Sequence, residues 1–133
     1  MNSLKDLALN TLKLSEAGEE LQLLISNEIL ATLIGHYGRS KHYNWTPHIY
    51  VDHSDSILSG EFRDDEEAII LYTNAFEYNV DALAVVICHE FIHYLQCPKL
   101  KERYDKQYEY YDHPMEIEAY KREDEILTLI KQL

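Results

Sequence analysis

The residues able to do chemistry are gathered in one short stretch, Cys88-His89-Glu90-Phe91-Ile92-His93. His89 and His93 are four apart, so on a helix they project from one face, one turn from each other. Two imidazoles so placed can grip one metal ion, with Zn–N bonds of about 2.0–2.1 Å. Glu90 directly follows the first histidine and can take a proton from water on the metal. The surroundings sharpen this reading, because residues 80–95 are otherwise nearly all apolar and predict a buried helix. Two imidazoles and an acid midway along such a helix are costly unless something compensates them, and a divalent cation does so. The competing reading makes both histidines core residues bonded to carbonyls, with Glu90 in a salt bridge. The triple on one apolar helix favours the metal.

A catalytic zinc usually takes three protein ligands and keeps one position open. Cys97 lies at i+8 from His89, about 12 Å along a helix axis. One ion cannot reach both, so Cys97 reads as a small buried or half-buried residue. The remaining donors lie in Asp112-His113-Pro114-Met115-Glu116-Ile117-Glu118-Ala119-Tyr120. Glu116 is the third residue of a helix opening at Pro114, where a carboxylate can also satisfy free backbone N–H groups. His113 is the alternative third ligand, against a plain surface histidine preceding a helix. Glu118 is rotated about 200° from Glu116, and its spacing to Arg122 predicts a surface ion pair.

In these stretches the chain resembles the gluzincins, zinc peptidases with HExxH on one helix and a glutamate on a downstream helix, often opening a Glu-x-x-Ala motif. Glu116-Ile117-Glu118-Ala119 matches, with 22 residues between His93 and Glu116. The small size is similar to that of the single-domain minigluzincins. The resemblance covers residues 46–130 and is most specific at 85–95 and 114–120. It implies that His89, His93 and Glu116 hold Zn2+, that Glu90 is the general base, and that the substrate is a peptide or protein. The metzincin continuation, by contrast, needs Gly at position 96 and His at position 99, where this chain has Gln96 and Lys99. The chain departs from many gluzincins at Tyr120, where they carry an aspartate that supports a ligand histidine; a phenol offers a single hydrogen bond in its place.

The elements that must position these residues follow from periodicity. Residues 3–14 predict a short helix. Residues 19–37 predict a longer one, with Leu21, Leu24, Ile25, Ile29, Leu33 and Ile34 at helical spacing and Gly38 as its stop. Ile49 and Val51 alternate with polar neighbours as in a half-buried strand. Residues 56–62 predict a second strand, with Leu58 and Phe62 on one face, and 64–66 a turn. Residues 67–73 predict a third strand, apolar enough to be covered on both faces and read as an edge on which a peptide could pair. Asn79 caps the helix over 80–96, which Pro98 ends. A charged, Tyr-rich surface excursion (99–113) precedes a final amphipathic helix, 114–132, opened by Pro114. The expected fold is α+β and zincin-like: N-terminal helices, a small three-stranded sheet, the HExxH helix and a C-terminal helix carrying the glutamate ligand.

His36, His42, His48 and His53 show no ligand spacing and read as structural or exposed. Among Tyr104, Tyr108, Tyr110 and Tyr111, one could donate to an oxyanion above the metal, although each more simply covers the core edge. The acidic runs 64–67 and 123–125 read as solvated faces.

Composition bounds the rest. A chain of 133 residues, 46% apolar and 27% charged, predicts one globular domain spanning 1–133. Its formal charge of −12 repels phosphate backbones and anionic membranes, so neither nucleic acid nor a membrane is an expected partner. No apolar run reaches the roughly 18 residues of a membrane span, and the first residues lack the pattern of a signal peptide. Two cysteines make no disulfide framework and point to the cytoplasm or an equivalent reducing compartment. The expectation is a zinc-dependent metallopeptidase. A second reading is a zinc-binding interaction or regulatory module derived from a peptidase, without efficient turnover. A third is a metal-free acidic protein that binds basic partners.

Overall fold

The computed structural model describes residues 13–132. The helix expected over 3–14 therefore lies, up to residue 12, outside the described residues. Leu14 opens a 3-10 turn, Leu14–Glu16, with its side chain fully buried. Four α-helices follow: α1, Glu19–Tyr37; α2, Val80–Leu95; α3, Pro98–Gln107; and α4, Pro114–Gln132. Three short strands, β1 (His48–Asp52), β2 (Gly60–Arg63) and β3 (Ala68–Tyr72), form one mixed sheet. The fold is α+β. No single helix among the described residues is long and apolar enough to cross a membrane.

In α1 the buried face is Gln22, Ile25, Ser26, Ile29, Leu30 and Leu33. Leu24, expected in that stripe, is instead exposed, because apolar residues surround this helix and packing selects which of them it covers. Gly38 ends α1 at φ 79°, a backbone conformation that favours a residue without Cβ.

The sheet order is β1-β3-β2, with β1 parallel and β2 antiparallel to β3. This corrects the expectation that 67–73 is an edge. All five residues of β3 are buried, as a central strand demands, and the edges are β1 and β2. The second strand is also shorter than expected. Leu58 lies outside it, in an irregular segment whose Ser56 carbonyl accepts from Asn74 Nδ2 at 2.7 Å. The acidic turn at 64–67 is present, and Glu67 takes a positive φ of 53° to close it.

Helix α2 lies between the sheet, α1 and α4, and packs most extensively against α4. Asn79 caps it as expected, its Oδ1 accepting from Ala82 N–H at 3.1 Å. Tyr94, fully buried, donates to the Trp45 carbonyl at 2.8 Å and accepts from Ser40 N–H at 3.1 Å. That ties the loop after α1 to the far side of the helix. Pro98 does not merely end α2. It opens α3 at the first helical position, bent 103° from α2, so the expected excursion is partly helical. Leu100 and Tyr104, one turn apart, are the large apolar residues of α3, and none of its residues is buried.

Candidate metal centre

The three candidate donors come from two helices that cross. α2 presents His89 and His93 on one face, their ring centroids 4.9 Å apart. α4 presents Glu116 from its first turn. Fully buried Ala119, one turn further on, is small enough to let the two backbones approach, and Cys88 Sγ lies 3.7 Å from the Arg122 carbonyl across the same contact. His89 Nε2 is 3.3 Å from Glu116 Oε2, and His93 Nε2 contacts Glu116 Oε1. One nitrogen from each imidazole and a carboxylate oxygen all lie within 4.8 Å of one another.

Two ligands of one tetrahedral zinc, each at roughly 2.0–2.1 Å, stand about 3.3 Å apart. The spacing and the donor set, two imidazoles and one carboxylate, fit such an ion. Among the described residues this is the group of three donors with metal-binding spacing.

Gln96 fixes how the His93 ring is turned. Its Nδ1 is 2.7 Å from Gln96 Oε1, while Gln96 Nε2 donates to the Met115 carbonyl at 3.0 Å and to Glu118 Oε1 at 2.8 Å. Both of those partners only accept, so the amide oxygen must face His93. Nδ1 then carries a proton, and Nε2 is the nitrogen turned to Glu116. Glu118 is thus engaged with Gln96 and does not form the surface pair expected with Arg122, which reaches Glu125 instead at 3.4 Å.

His89 is 8% exposed, and its Nδ1 has no hydrogen-bond partner. Glu123 Oε1 stands 3.5 Å from that nitrogen. The run 123–125 is therefore not simply a solvated face: Glu123 turns toward His89, and Glu125 bonds the Tyr37 hydroxyl. Tyr120 packs its ring edge on His89, centroids 4.6 Å apart, but its hydroxyl bonds Tyr110 at 2.9 Å.

Glu90 is held by the sheet. Its Oε1 accepts from Phe62 N–H on the edge strand β2 at 3.0 Å. Burial pushes its carboxyl upward, against the pull of both imidazoles. Burial also pushes Glu116 upward, but His89, His93 and the Tyr110 phenol outweigh it and hold this carboxyl well below the usual carboxylate range. Burial, Tyr120 and Glu116 together raise the Tyr110 phenol, which therefore keeps its proton. Burial pushes the Cys88 thiol up to about 12, so it stays protonated and packs as a small apolar side chain.

The structure separates the other donors from this centre. His113 stands outside the group of three donors and is not a surface residue. It is 7% exposed, with Nε2 2.7 Å from Asp105 Oδ1 and Nδ1 accepting from Met115 N–H at 3.2 Å. Cys97 precedes α3 as its half-buried cap residue, and His36, His42, His48 and His53 are exposed.

No protein-family model, no curated protein and no solved structure matches this chain.

The centre opens into a cleft of about 220 Å3 lined by Gly60, Glu61 and Phe62 of the β2 edge, by His89, Glu90, His93 and Glu116, and by Lys101 and Tyr110. An adjoining cleft of about 320 Å3 runs past His89 and Glu90 between Ile57, Leu58, Val86, Tyr110 and Tyr120. A larger one, about 450 Å3, lies on the opposite side of Gln96 and contains none of the three ligands. Sequence reasoning missed Gln96, Glu123 and the part played by β2. Gln96 was visible only as the i+3 neighbour of His93, and Glu123 as the i+7 neighbour of Glu116.

Proposed function

We propose that the protein is a zinc-dependent metallopeptidase of gluzincin type. The observation that carries this is the convergence of His89, His93 and Glu116, beside a half-buried Glu90 and an open cleft. Zinc held there would supply the Lewis acid that polarises a peptide carbonyl and acidifies water. Glu90 accepts the proton of the attacking water and delivers it to the leaving amine. The Phe62 amide fixes one Glu90 oxygen and leaves the other for that proton. Gln96 keeps His93 aimed.

An extended peptide laid along the β2 edge passes between Gly60–Phe62 and Tyr110, directly over Glu116. The free thiols Cys88 and Cys97 suit a reducing compartment such as the cytoplasm.

The test measures bound zinc and cleavage of an unfolded polypeptide for three proteins. Wild type should bind zinc and cleave. Glu90→Gln should keep the zinc and lose cleavage, and Glu116→Ala should lose zinc affinity itself. Equal cleavage by wild type and Glu90→Gln would overturn the peptidase reading and favour a zinc-binding interaction module. Unchanged zinc affinity in Glu116→Ala would remove Glu116 from the ligand set.

A further inference from the structure

We infer that Glu123 is the positioning carboxylate of His89, taking a place that Tyr120, one turn nearer Glu116, does not fill. The inference rests on the metal reading above. A neutral imidazole that ligates through Nε2 must carry its proton on Nδ1. In His89 that nitrogen is buried and unpartnered among the described residues, whereas the corresponding atom of His93 is bonded to Gln96. A buried donor without an acceptor is uncommon in a folded protein and marks a partner that has yet to close.

Glu123 Oε1 stands 3.5 Å away, a few tenths of an ångström beyond a formed bond. Glu123 lies seven residues after Glu116, two turns along the same face of α4, so one helix supplies both the ligand and the support. Tyr120 sits between them against the His89 ring, with its hydroxyl committed to Tyr110. Charge on Nε2 makes the Nδ1 proton a stronger donor, so metal loading draws the carboxylate in. The two histidines are then held by unlike partners, an amide for His93 and a carboxylate for His89.

The test uses the full chain and two readouts besides activity. Zinc affinity is measured by competition with a chromophoric chelator. The His89 ring is followed by 15N NMR of the zinc-loaded protein. Wild type should bind zinc and show a downfield Nδ1–H proton on His89. Glu123→Ala should weaken zinc about 10–100-fold and shift that proton upfield. Adding Tyr120→Asp to Glu123→Ala should restore most of the affinity, because position 120 already faces the same ring; a merely structural loss would not be rescued so. Glu123→Gln, which keeps size and an acceptor oxygen, should lose less and serves if the alanine variant fails to fold. Unchanged affinity with an unchanged Nδ1–H proton in the folded variants would overturn the inference while wild-type zinc binding leaves the metal centre standing. Wild type that binds no zinc would overturn both.

Discussion

Glu90 is one residue from a ligand, yet its carboxylate is anchored by a strand amide from β2 rather than by either imidazole. Its place therefore depends on how closely the strand approaches the helix, and Gly60 sets that approach. A Cβ at Gly60 would lie 2.9 Å from Val86 Cγ1 and 3.3 Å from Glu90 Cγ. Gly60→Ala should cost about 1–3 kcal/mol by overpacking and should lower kcat by displacing Glu90, with zinc content unchanged. Urea unfolding and steady-state kinetics check the two halves separately. Tyr110 is the other residue whose role follows from its place. Its phenol keeps its proton and lines both clefts beside Glu90, which suits a donor to the developing oxyanion. Tyr110→Phe should leave zinc affinity within a few-fold and lower kcat by about 10²–10³-fold. A fall confined to KM would instead make Tyr110 a substrate contact.

At the scale of elements, the unit that works is α2 crossed by α4, with α3 as a strut. The strut is tied by His113, whose Nε2 meets Asp105 of α3 while its Nδ1 holds the first turn of α4. Burial pushes Asp105 upward, but Lys101 and His113 outweigh it and hold its carboxyl below its ordinary value. A carboxyl depressed on folding contributes stability that is present above its unfolded pKa, about 3.9, and is lost as the pH falls through its lower folded value. Asp105→Asn should therefore lower the urea midpoint at pH 7. The gap from wild type should close as the pH drops below about 4. Asp105 is 48% exposed, so solvent screens the pair and the effect should stay below about 1 kcal/mol. A gap that does not narrow in acid would show that the strut is held by packing alone.

For the whole molecule, a metal held between α2 and α4 as proposed would bind the folded chain and not the unfolded one. Free zinc at about 100 times its dissociation constant should then stabilise the protein by about 2.7 kcal/mol. Calorimetry with and without chelator reads this as a higher Tm. Glu116→Ala, compared at the same zinc concentration, should show little of the rise. The surface charge of −12 is not what gathers the site. His89, His93 and Glu116 are brought together by the apolar contact of α2 and α4 around Ala119 and Ile126, which are both fully buried.

The sequence by itself determined the helix that carries His89 and His93, its cap at Asn79, the pairing of the two imidazoles on one face and the downstream helix that carries Glu116. Helical spacing, capping and proline placement are local properties, legible within a turn or two of chain. Only the tertiary structure decided that β2 rather than β3 is the edge beside Glu90, that α3 exists, that His113 is a buried strut, and that Gln96 and Glu123 face the imidazoles. Strand order depends on contacts between residues distant in sequence, and β3 reads the same whether central or at an edge. α3 buries no residue, and Leu100 and Tyr104 alone are too short a stripe to tell a helix from a surface loop. The direction of a glutamate on a charged helix is chosen by the helix packed against it, and that neighbour lies some thirty residues away in the chain, beyond the reach of any local pattern.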